Sequence, residues 1–116
     1  MTKALQASTD KFKAFADPTR LRILNLLAVQ ELCVCHLVEI LDAPQPKISR
    51  HLAMLRRAGL VTARSEGPWR HYALPAERVG LARTLLDCVA TCLKDLDELR
   101  ADRERLSATD TELACS

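Results

Sequence analysis

The sequence predicts a mainly α-helical fold that carries one small β-hairpin. Two apolar-periodic segments, residues 31–41 and 44–58, are separated by a proline-broken turn, and Gly59 is predicted to end the second one. Two short β-like runs, residues 60–64 and 69–74, follow on either side of a Gly-Pro pair typical of a hairpin turn. The order helix, turn, helix, hairpin is that of a winged helix-turn-helix.

Three further helices are predicted around this unit. The first, over residues 2–15, has an apolar face too thin to stand alone. Asp17 and Pro18 supply an N-cap carboxylate and a first-turn proline, which start a strongly apolar second helix. The last helix is predicted over residues 75–106 with one continuous apolar stripe. The stripe comprises Leu81, Leu85, Val89, Cys92, Leu96 and Leu99. It is long for a 116-residue monomer to cover, so we expect a homodimer with the terminal helices at its interface.

Positive charge is concentrated in the predicted helix-turn-helix and hairpin. Between residues 44 and 72 the only anion is Glu66, whereas anions outnumber cations from residue 76 onward. The net charge of +2 hides this asymmetry. A basic block of this kind favours contact with nucleic acid, and the alternative is a basic face that is merely solvated.

The candidate DNA contacts lie on the second helix of the unit and on the hairpin. Ile48, Leu52 and Leu55 face the core, so the polar residues of the helix's first half face outward, as in a helix-turn-helix. Gln can bind adenine, and Arg or Lys can bind guanine, in the major groove. Cations on the hairpin can contact phosphate. The predicted DNA-binding residues are Gln45, Lys47, Ser49, Arg50, His51, Arg64 and Arg70.

Length and composition indicate one domain, with 48% hydrophobic and 28% charged residues. We assign residues 1–106 to a winged helix-turn-helix domain for DNA binding and dimerisation, and residues 107–116 to a flexible C-terminal tail. No apolar run approaches the length of a membrane span, and the N-terminus lacks the layout of a signal peptide. We therefore expect a cytoplasmic protein with no membrane partner.

Two of the five cysteines, Cys33 and Cys35, fall in the predicted helix 31–41. An odd number cannot pair fully, and without a secretion signal the thiols are expected to be reduced. On a regular helix these two side chains point about 200° apart. A soft thiophilic centre that binds both sulfurs must therefore bend or unwind the segment. The alternative is a pair of small buried hydrophobic residues.

The other cysteines leave several roles open. Cys88 and Cys92 are one helical turn apart, so they can form a thiol pair, face their mates across a dimer, or fill its interface. Cys115 lies in the tail, and we expect it to be idle. Zinc is a rival ligand, but the last helix contains no histidine, which argues against a zinc site on that helix.

Three motifs resemble the ArsR-type (ArsR/SmtB) arsenic-responsive regulators over roughly residues 10–95. The segment LDAPQPKISRHLAMLRRAGLV, followed by a hairpin and WRHYAL, resembles the winged-helix core of that family. DPTRLRIL resembles its core helix, and ELCVCHL resembles its arsenite-binding box. The resemblance implies a symmetric dimer on an inverted-repeat operator. It also implies As(III) or Sb(III) as an inducer held by Cys33 and Cys35.

Two positions depart from that family's pattern. Pro44 replaces a Ser that often caps the recognition helix, which removes a cap worth typically about 1 kcal/mol. Val38 replaces a third Cys, so the third metalloid ligand is left open. His36 is available but is a harder donor than a thiolate. A site with two thiols suits an organoarsenical that carries one carbon substituent.

The predicted function is therefore a transcriptional repressor of a metalloid-resistance operon, released from its operator when As(III) or Sb(III) binds. One alternative is a redox-responsive repressor that uses Cys88, Cys92 or Cys115. Another is a winged-helix adaptor that binds only proteins. An enzyme is not expected, because the sequence has no Gly-rich phosphate loop and no nucleophile–base pair at recognisable spacing. No catalytic cofactor is expected either.

Overall fold

The computed structural model describes residues 1–111, in which helices surround a small three-stranded antiparallel sheet. The helices are α1 (Lys3–Phe15), α2 (Pro18–Leu27), α3 (Val34–Leu41), α4 (Gln45–Arg57), α5 (Gly80–Cys92) and α6 (Asp97–Ala108). The strands are β1 (Leu32–Cys33), β2 (Thr62–Glu66) and β3 (Trp69–Ala73). None of the helices in residues 1–111 is long and apolar enough to cross a membrane.

Helix α2 lies at the centre and contacts α1, α4, α5 and α6. Its start is as predicted, because Asp17 caps the helix and its Oδ2 accepts a hydrogen bond from the Arg20 backbone N–H at 3.0 Å. Ile23 and Leu26 are fully buried in the core. A helix that is apolar on most sides is thus covered on most sides, as its sequence requires.

The helix-turn-helix is formed by α3 and α4. The turn between them bends at Asp42, whose φ is 49°, and α4 begins after Pro44, which provides no side-chain cap. Ile48, Leu52 and Leu55 are fully buried, as predicted. Gly59 follows the helix with a φ of +77°, a conformation that glycine adopts at little cost, so the predicted stop is confirmed.

The prediction of one helix over residues 31–41 is wrong at its start. Leu32 and Cys33 form strand β1, which pairs with Tyr72 and His71 of β3. The hairpin of β2 and β3 closes with Glu66 opposite Trp69, and the strand order is β1-β3-β2. A partner strand that lies some forty residues away decides this conformation, and local periodicity does not report it.

The prediction of one last helix over residues 75–106 is also wrong. The chain forms two helices, because α6 turns back onto α2. Arg22 binds Asp102 through two hydrogen bonds of 2.7 and 2.9 Å, and the Asn25 side chain donates to the Leu99 carbonyl at 3.0 Å. The predicted stripe is therefore divided, with Leu96 half exposed at the break. Helix α6 continues to Ala108, and Cys115 lies outside the described residues.

Helix α1 contacts α2 and α5 but leaves part of its apolar face uncovered. Leu5 and Phe12 are each 56% exposed in the single chain. Val79, just before α5, is 76% exposed. These residues belong to the terminal helices, or lie next to them, where the sequence predicts a dimer interface.

Candidate sensing site and DNA-contacting surface

Cys33 and Cys35 lie side by side, with their Sγ atoms 2.7 Å apart. The predicted divergence of the two side chains is wrong, because Cys33 is the N-cap of α3 and its backbone is extended, with φ −83° and ψ 162°. Only Cys35 belongs to the helix. The two sulfurs therefore converge without any bending of α3.

His36 completes a compact cluster with the two cysteines. Its Nδ1 lies 2.9 Å from the Sγ of Cys33, and the three donor atoms all lie within 4.8 Å of one another. His36 is buried. Cys33 is the N-cap and His36 the third helical residue of α3, so the whole cluster lies at the start of this helix.

The oxidation state of Cys35 bears on this cluster. The 2.7 Å separation is longer than a disulfide bond of about 2.05 Å, so Cys33 and Cys35 are not bonded to each other. Cys35 is nevertheless disulfide-bonded in the structure. Both sulfurs can therefore serve a ligand only under reducing conditions.

The cysteines and the predicted DNA-binding residues line one cleft. The lining includes Cys33, Cys35 and His36 as well as Gln45, Ser49 and Arg70. The remaining lining residues are Val34, Val38, Glu39, Pro68, Trp69, Tyr72, Ala108, Thr109 and Asp110. The sequence indicated two separate functional segments, whereas the fold brings them to a common opening.

The first half of α4 presents the polar surface that the sequence predicts. Gln45, Lys47 and Arg50 are exposed, and Ser49 is half-buried. These residues share the outer side of a helix whose inner side is fully buried. The arrangement matches a recognition helix, whose first residues approach the bases.

His51 is directed toward the start of α2 and is only 11% exposed. Its Nδ1 lies 3.1 Å from a guanidinium nitrogen of Arg20 and 3.8 Å from the carboxylate of Asp17. Burial lowers the pKa of His51, as do the nearby cations, while Asp17 opposes them. Arg20 also donates to the carbonyl oxygens of Ala14 and Lys13, so it joins α1, α2 and α4.

The hairpin cations are differently placed. Arg64 donates to Glu31, which precedes β1, at 3.0 Å and to Glu66 in its own hairpin at 3.0 Å. These bonds raise the pKa of Arg64, and the bond from Arg64 lowers the pKa of Glu31. Arg70 is exposed and lies over the ring of Tyr72, 5.7 Å from its centroid. Arg64 thus connects the hairpin to the segment that carries the cysteines.

Cys88 and Cys92 are both exposed on α5. A hydrogen bond with Cys92 raises the pKa of the Cys88 thiol, and desolvation adds to this effect. The two thiols therefore meet, as their spacing predicts, but neither lies in the cleft with Cys33.

Residues 17–63 match the family described as "Bacterial regulatory protein, arsR family". The arsenical resistance operon repressor of Escherichia coli K12 is 49% identical over 82 residues, covering 70% of each chain. An uncharacterized HTH-type transcriptional regulator of Methanocaldococcus jannaschii is 47% identical over 83 residues, covering 71% of this chain and 93% of its own. This chain belongs to the arsR family.

Solved structures of similar regulators agree with this assignment of the arsR-family chain. HlyU from Vibrio cholerae has a TM-score of 0.66 and 33% identity, covering 84% of this chain and 98% of its own. A possible transcriptional regulator for arsenical resistance has a TM-score of 0.58 and 35% identity, covering 87% and 98%. The predicted family and the helical, winged fold are confirmed. Because the family and its named relatives are transcriptional regulators, the prediction that this protein is not an enzyme is confirmed as well.

Proposed function

We propose that this arsR-family protein is a cytoplasmic repressor of an arsenical-resistance operon, released from operator DNA when As(III) or Sb(III) binds Cys33 and Cys35. Relatives named arsenical resistance operon repressors support the biological role. The observation that carries the proposal is the convergence of the two sulfurs, 2.7 Å apart, in a cleft that Gln45 and Ser49 also line.

DNA is bound by α4 and the hairpin in this proposal. Gln45, Ser49 and Arg50 approach the base edges, and Lys47 contacts phosphate near the start of the helix. Arg70 extends from the hairpin to a neighbouring phosphate. Arg64 also contacts a phosphate if it gives up its hydrogen bonds to Glu31 and Glu66. His51 stabilises α4 through its contact with Arg20, and it reaches DNA only if its ring moves away from Arg20.

The metalloid acts through the sheet. Sulfurs that share one metalloid centre are held farther apart than 2.7 Å, so binding displaces Cys33. Cys33 pairs with His71 in the β1–β3 ladder, and Glu31 is tied to Arg64. Displacing Cys33 therefore shifts the hairpin relative to α4, and the two binding events share one coupling free energy, typically about 1–3 kcal/mol.

A homodimer on an inverted-repeat operator completes the proposal. Leu5 and Phe12 on α1 and Val79 before α5 are large apolar residues that are exposed in the single chain. A two-fold interface between terminal helices would cover them and would place two α4 helices on successive major grooves.

The test is fluorescence anisotropy of the reduced protein on a labelled inverted-repeat duplex, chosen by in vitro selection from random DNA. Arsenite and methylarsenite should lower the affinity of the wild type by about tenfold or more. The double variant Cys33→Ser, Cys35→Ser should bind DNA as the wild type does and ignore both arsenicals. The matched control, Cys88→Ser with Cys92→Ser, should respond normally.

Two results would overturn the proposal. A Cys33/Cys35 variant that still releases DNA on arsenite would place the sensor elsewhere. A wild-type protein that binds no selected duplex at low salt would leave only a protein-binding role for the hairpin and α4. Peroxide in place of arsenite, followed by a reductant, distinguishes a redox response from a metalloid response.

A further inference from the structure

One arginine on α2 makes contacts that join three helices. The side chain of Arg20 donates to the carbonyl oxygen of Ala14 at 2.8 Å and to that of Lys13 at 3.0 Å, both in the last turn of α1. Its remaining nitrogen lies 3.1 Å from the Nδ1 of His51 on α4. We propose that Arg20 is a positioning residue that sets the orientation of α4 relative to α1. The inference rests on the proposed function, because it concerns how the repressor presents α4 to DNA.

The end of α1 attracts a cation. The carbonyl groups of the last turn of a helix lack partners within the helix, and the helix dipole places negative charge there. Arg20 supplies two N–H groups to these carbonyls, and Ala16 donates its backbone N–H to the Lys13 carbonyl at 3.1 Å. The backbone N–H of Arg20 is bound by Asp17, the N-cap of α2. The guanidinium is therefore fixed with respect to both α1 and α2.

The contact between Arg20 and His51 has a defined direction. Arginine has five N–H donors and no acceptor, so the Nδ1 of His51 accepts the hydrogen bond and Nε2 carries the ring proton. The carboxylate of Asp17, at 3.8 Å, is too far from Nδ1 for a hydrogen bond. Arg20 is therefore the donor to this ring nitrogen, and it connects α4 to the two helices that hold the guanidinium.

The apolar core holds α4 in place without fixing its rotation as sharply. Ile48, Leu52 and Leu55 are fully buried, but apolar burial is non-directional. The guanidinium is a planar group whose N–H bonds point in fixed directions. Its bond to α4 is made at the residue that follows Arg50, one of the predicted DNA contacts. Without this bond, a small rotation of α4 would shift its first turns relative to the base edges.

The other end of this network lies on the helix of the proposed dimer face. Phe12, which precedes the two carbonyl acceptors on α1, is 56% exposed and would be covered by the second chain. Arg20 then links the dimer interface to α4 in each chain, and so sets the spacing of the two α4 helices along DNA. Two half-sites are bound together only when their separation matches that spacing. Loss of Arg20 should therefore relax the discrimination between operators that differ in spacer length.

The experiment compares the reduced full-length protein on two labelled duplexes by fluorescence anisotropy. One is the selected inverted repeat, and the other has one base pair inserted between the half-sites, which rotates one half-site by about 35° and moves it by about 3.4 Å. Wild type should bind the inserted duplex at least about tenfold more weakly. Arg20→Met keeps the length of the side chain but has no donor, and it should reduce this difference to about threefold or less. Arg20→Lys should not restore the difference, since one ammonium group cannot span all three acceptors.

Asn25→Ala is the matched control, because Asn25 is buried on the same helix but donates to the Leu99 carbonyl of α6. Urea unfolding should show lower stability for both Asn25→Ala and Arg20→Met, whereas Asn25→Ala should keep the spacer discrimination of the wild type. Unchanged discrimination in Arg20→Met overturns the inference. An equal loss in Asn25→Ala overturns it as well, since lower stability would then explain the effect. Full rescue by Arg20→Lys also overturns it, because a positive charge at the end of α1 would then be sufficient.

A measurement on the wild type does not depend on whether a variant folds. In the nitrogen-15-labelled free protein at about pH 8, where imidazole is neutral, the Nδ1 of His51 should have the chemical shift of an unprotonated nitrogen and Nε2 that of a protonated one. A protonated Nδ1 overturns the inference, because Arg20 could not donate to it. A wild type that binds no selected duplex would instead sink the proposed function, while these spectra would still decide whether Arg20 binds His51.

Discussion

The Sγ atoms of Cys33 and Cys35 lie 2.7 Å apart because Cys33 is extended while Cys35 is helical. The two sulfurs of the proposed sensing site therefore already lie close together, and α3 does not have to unwind to bring them there. What a ligand must disturb is the ladder between β1 and β3, in which Cys33 faces His71. In the proposed mechanism, the hairpin rather than α3 alone therefore connects the thiols to DNA.

Removing the ion pair between Glu31 and Arg64 should weaken this route. Glu31→Gln removes the charge that ties the thiol segment to the hairpin. DNA affinity without inducer should not fall, because Arg64 is then freer to contact phosphate, whereas the ratio of DNA dissociation constants with and without arsenite should fall by several-fold, about 0.5–2 kcal/mol of coupling. Anisotropy titrations measure both quantities.

Glu66→Gln is the control, since Glu66 also binds Arg64 but lies within the hairpin. This variant should leave unchanged the ratio of DNA dissociation constants with and without arsenite. An equal loss in both variants would mean that Arg64 itself, and not its link to Glu31, carries the effect.

Arg50 should contribute more to DNA binding than its neighbour His51. Arg50→Ala should cost about 1–3 kcal/mol of DNA binding, and it should reduce the slope of affinity against salt if the contact is to phosphate. Arg83→Ala on α5 removes an exposed cation that is paired with Asp87, and it should have no such effect. Similar losses from Arg50 and Arg83 would indicate a general charge effect rather than a specific surface.

Charge placed on the exposed face of α1 should separate the proposed dimer. Phe12→Glu puts a carboxylate where a 56% exposed aromatic side chain would be covered by a second chain. Sedimentation should show a monomer, with DNA affinity reduced accordingly. Val29→Glu alters a residue that is 54% exposed after α2, and it should remain dimeric. A dimeric Phe12→Glu would move the interface away from α1.

The environment of His51 predicts a pH dependence of stability. Burial lowers its pKa in the folded state below the usual value of 6.5, so the unfolded chain binds a proton more readily. The contribution of His51 to the free energy of unfolding is fully present above pH 6.5. It is lost as the pH falls from 6.5 through the lowered pKa of the folded state. Urea unfolding between about pH 7.5 and about pH 5.5 should show this decline.

His51→Gln should flatten that decline, because an amide does not titrate. Asp17 and Glu31 do not interfere, since their carboxyl pKa values are lowered and they titrate at more acidic pH. If the stability of the His51→Gln variant falls with pH as steeply as that of the wild type, another group causes the pH dependence.

Local signals predicted much of this fold. Three signals act within a few residues of the feature that they mark. They are Asp17 with Pro18 at the start of α2, the three- and four-residue spacing of Ile48, Leu52 and Leu55 along α4, and Gly59 after α4. The structure confirms these elements, because nothing distant competes with them.

Two elements depended on partners that the local sequence does not reveal. Strand β1 forms because β3 lies beside it. The extended backbone at Cys33 places its side chain next to that of Cys35, whereas a helix would direct the two side chains apart. The last helix divides because buried Asp102 binds Arg22, eighty positions away. Periodicity alone favours one long helix there, since the apolar spacing happens to continue across the break.

The position of the thiols in a cleft shared with Gln45 has a kinetic consequence in the proposed complex. A duplex lying on α4 covers the opening through which a metalloid reaches the sulfurs. The metalloid therefore binds first to repressor that is not on DNA. Repressor that dissociates from the operator is then captured by the metalloid and does not rebind. The time a cell needs to switch on resistance is then fixed by how long the repressor resides on its operator.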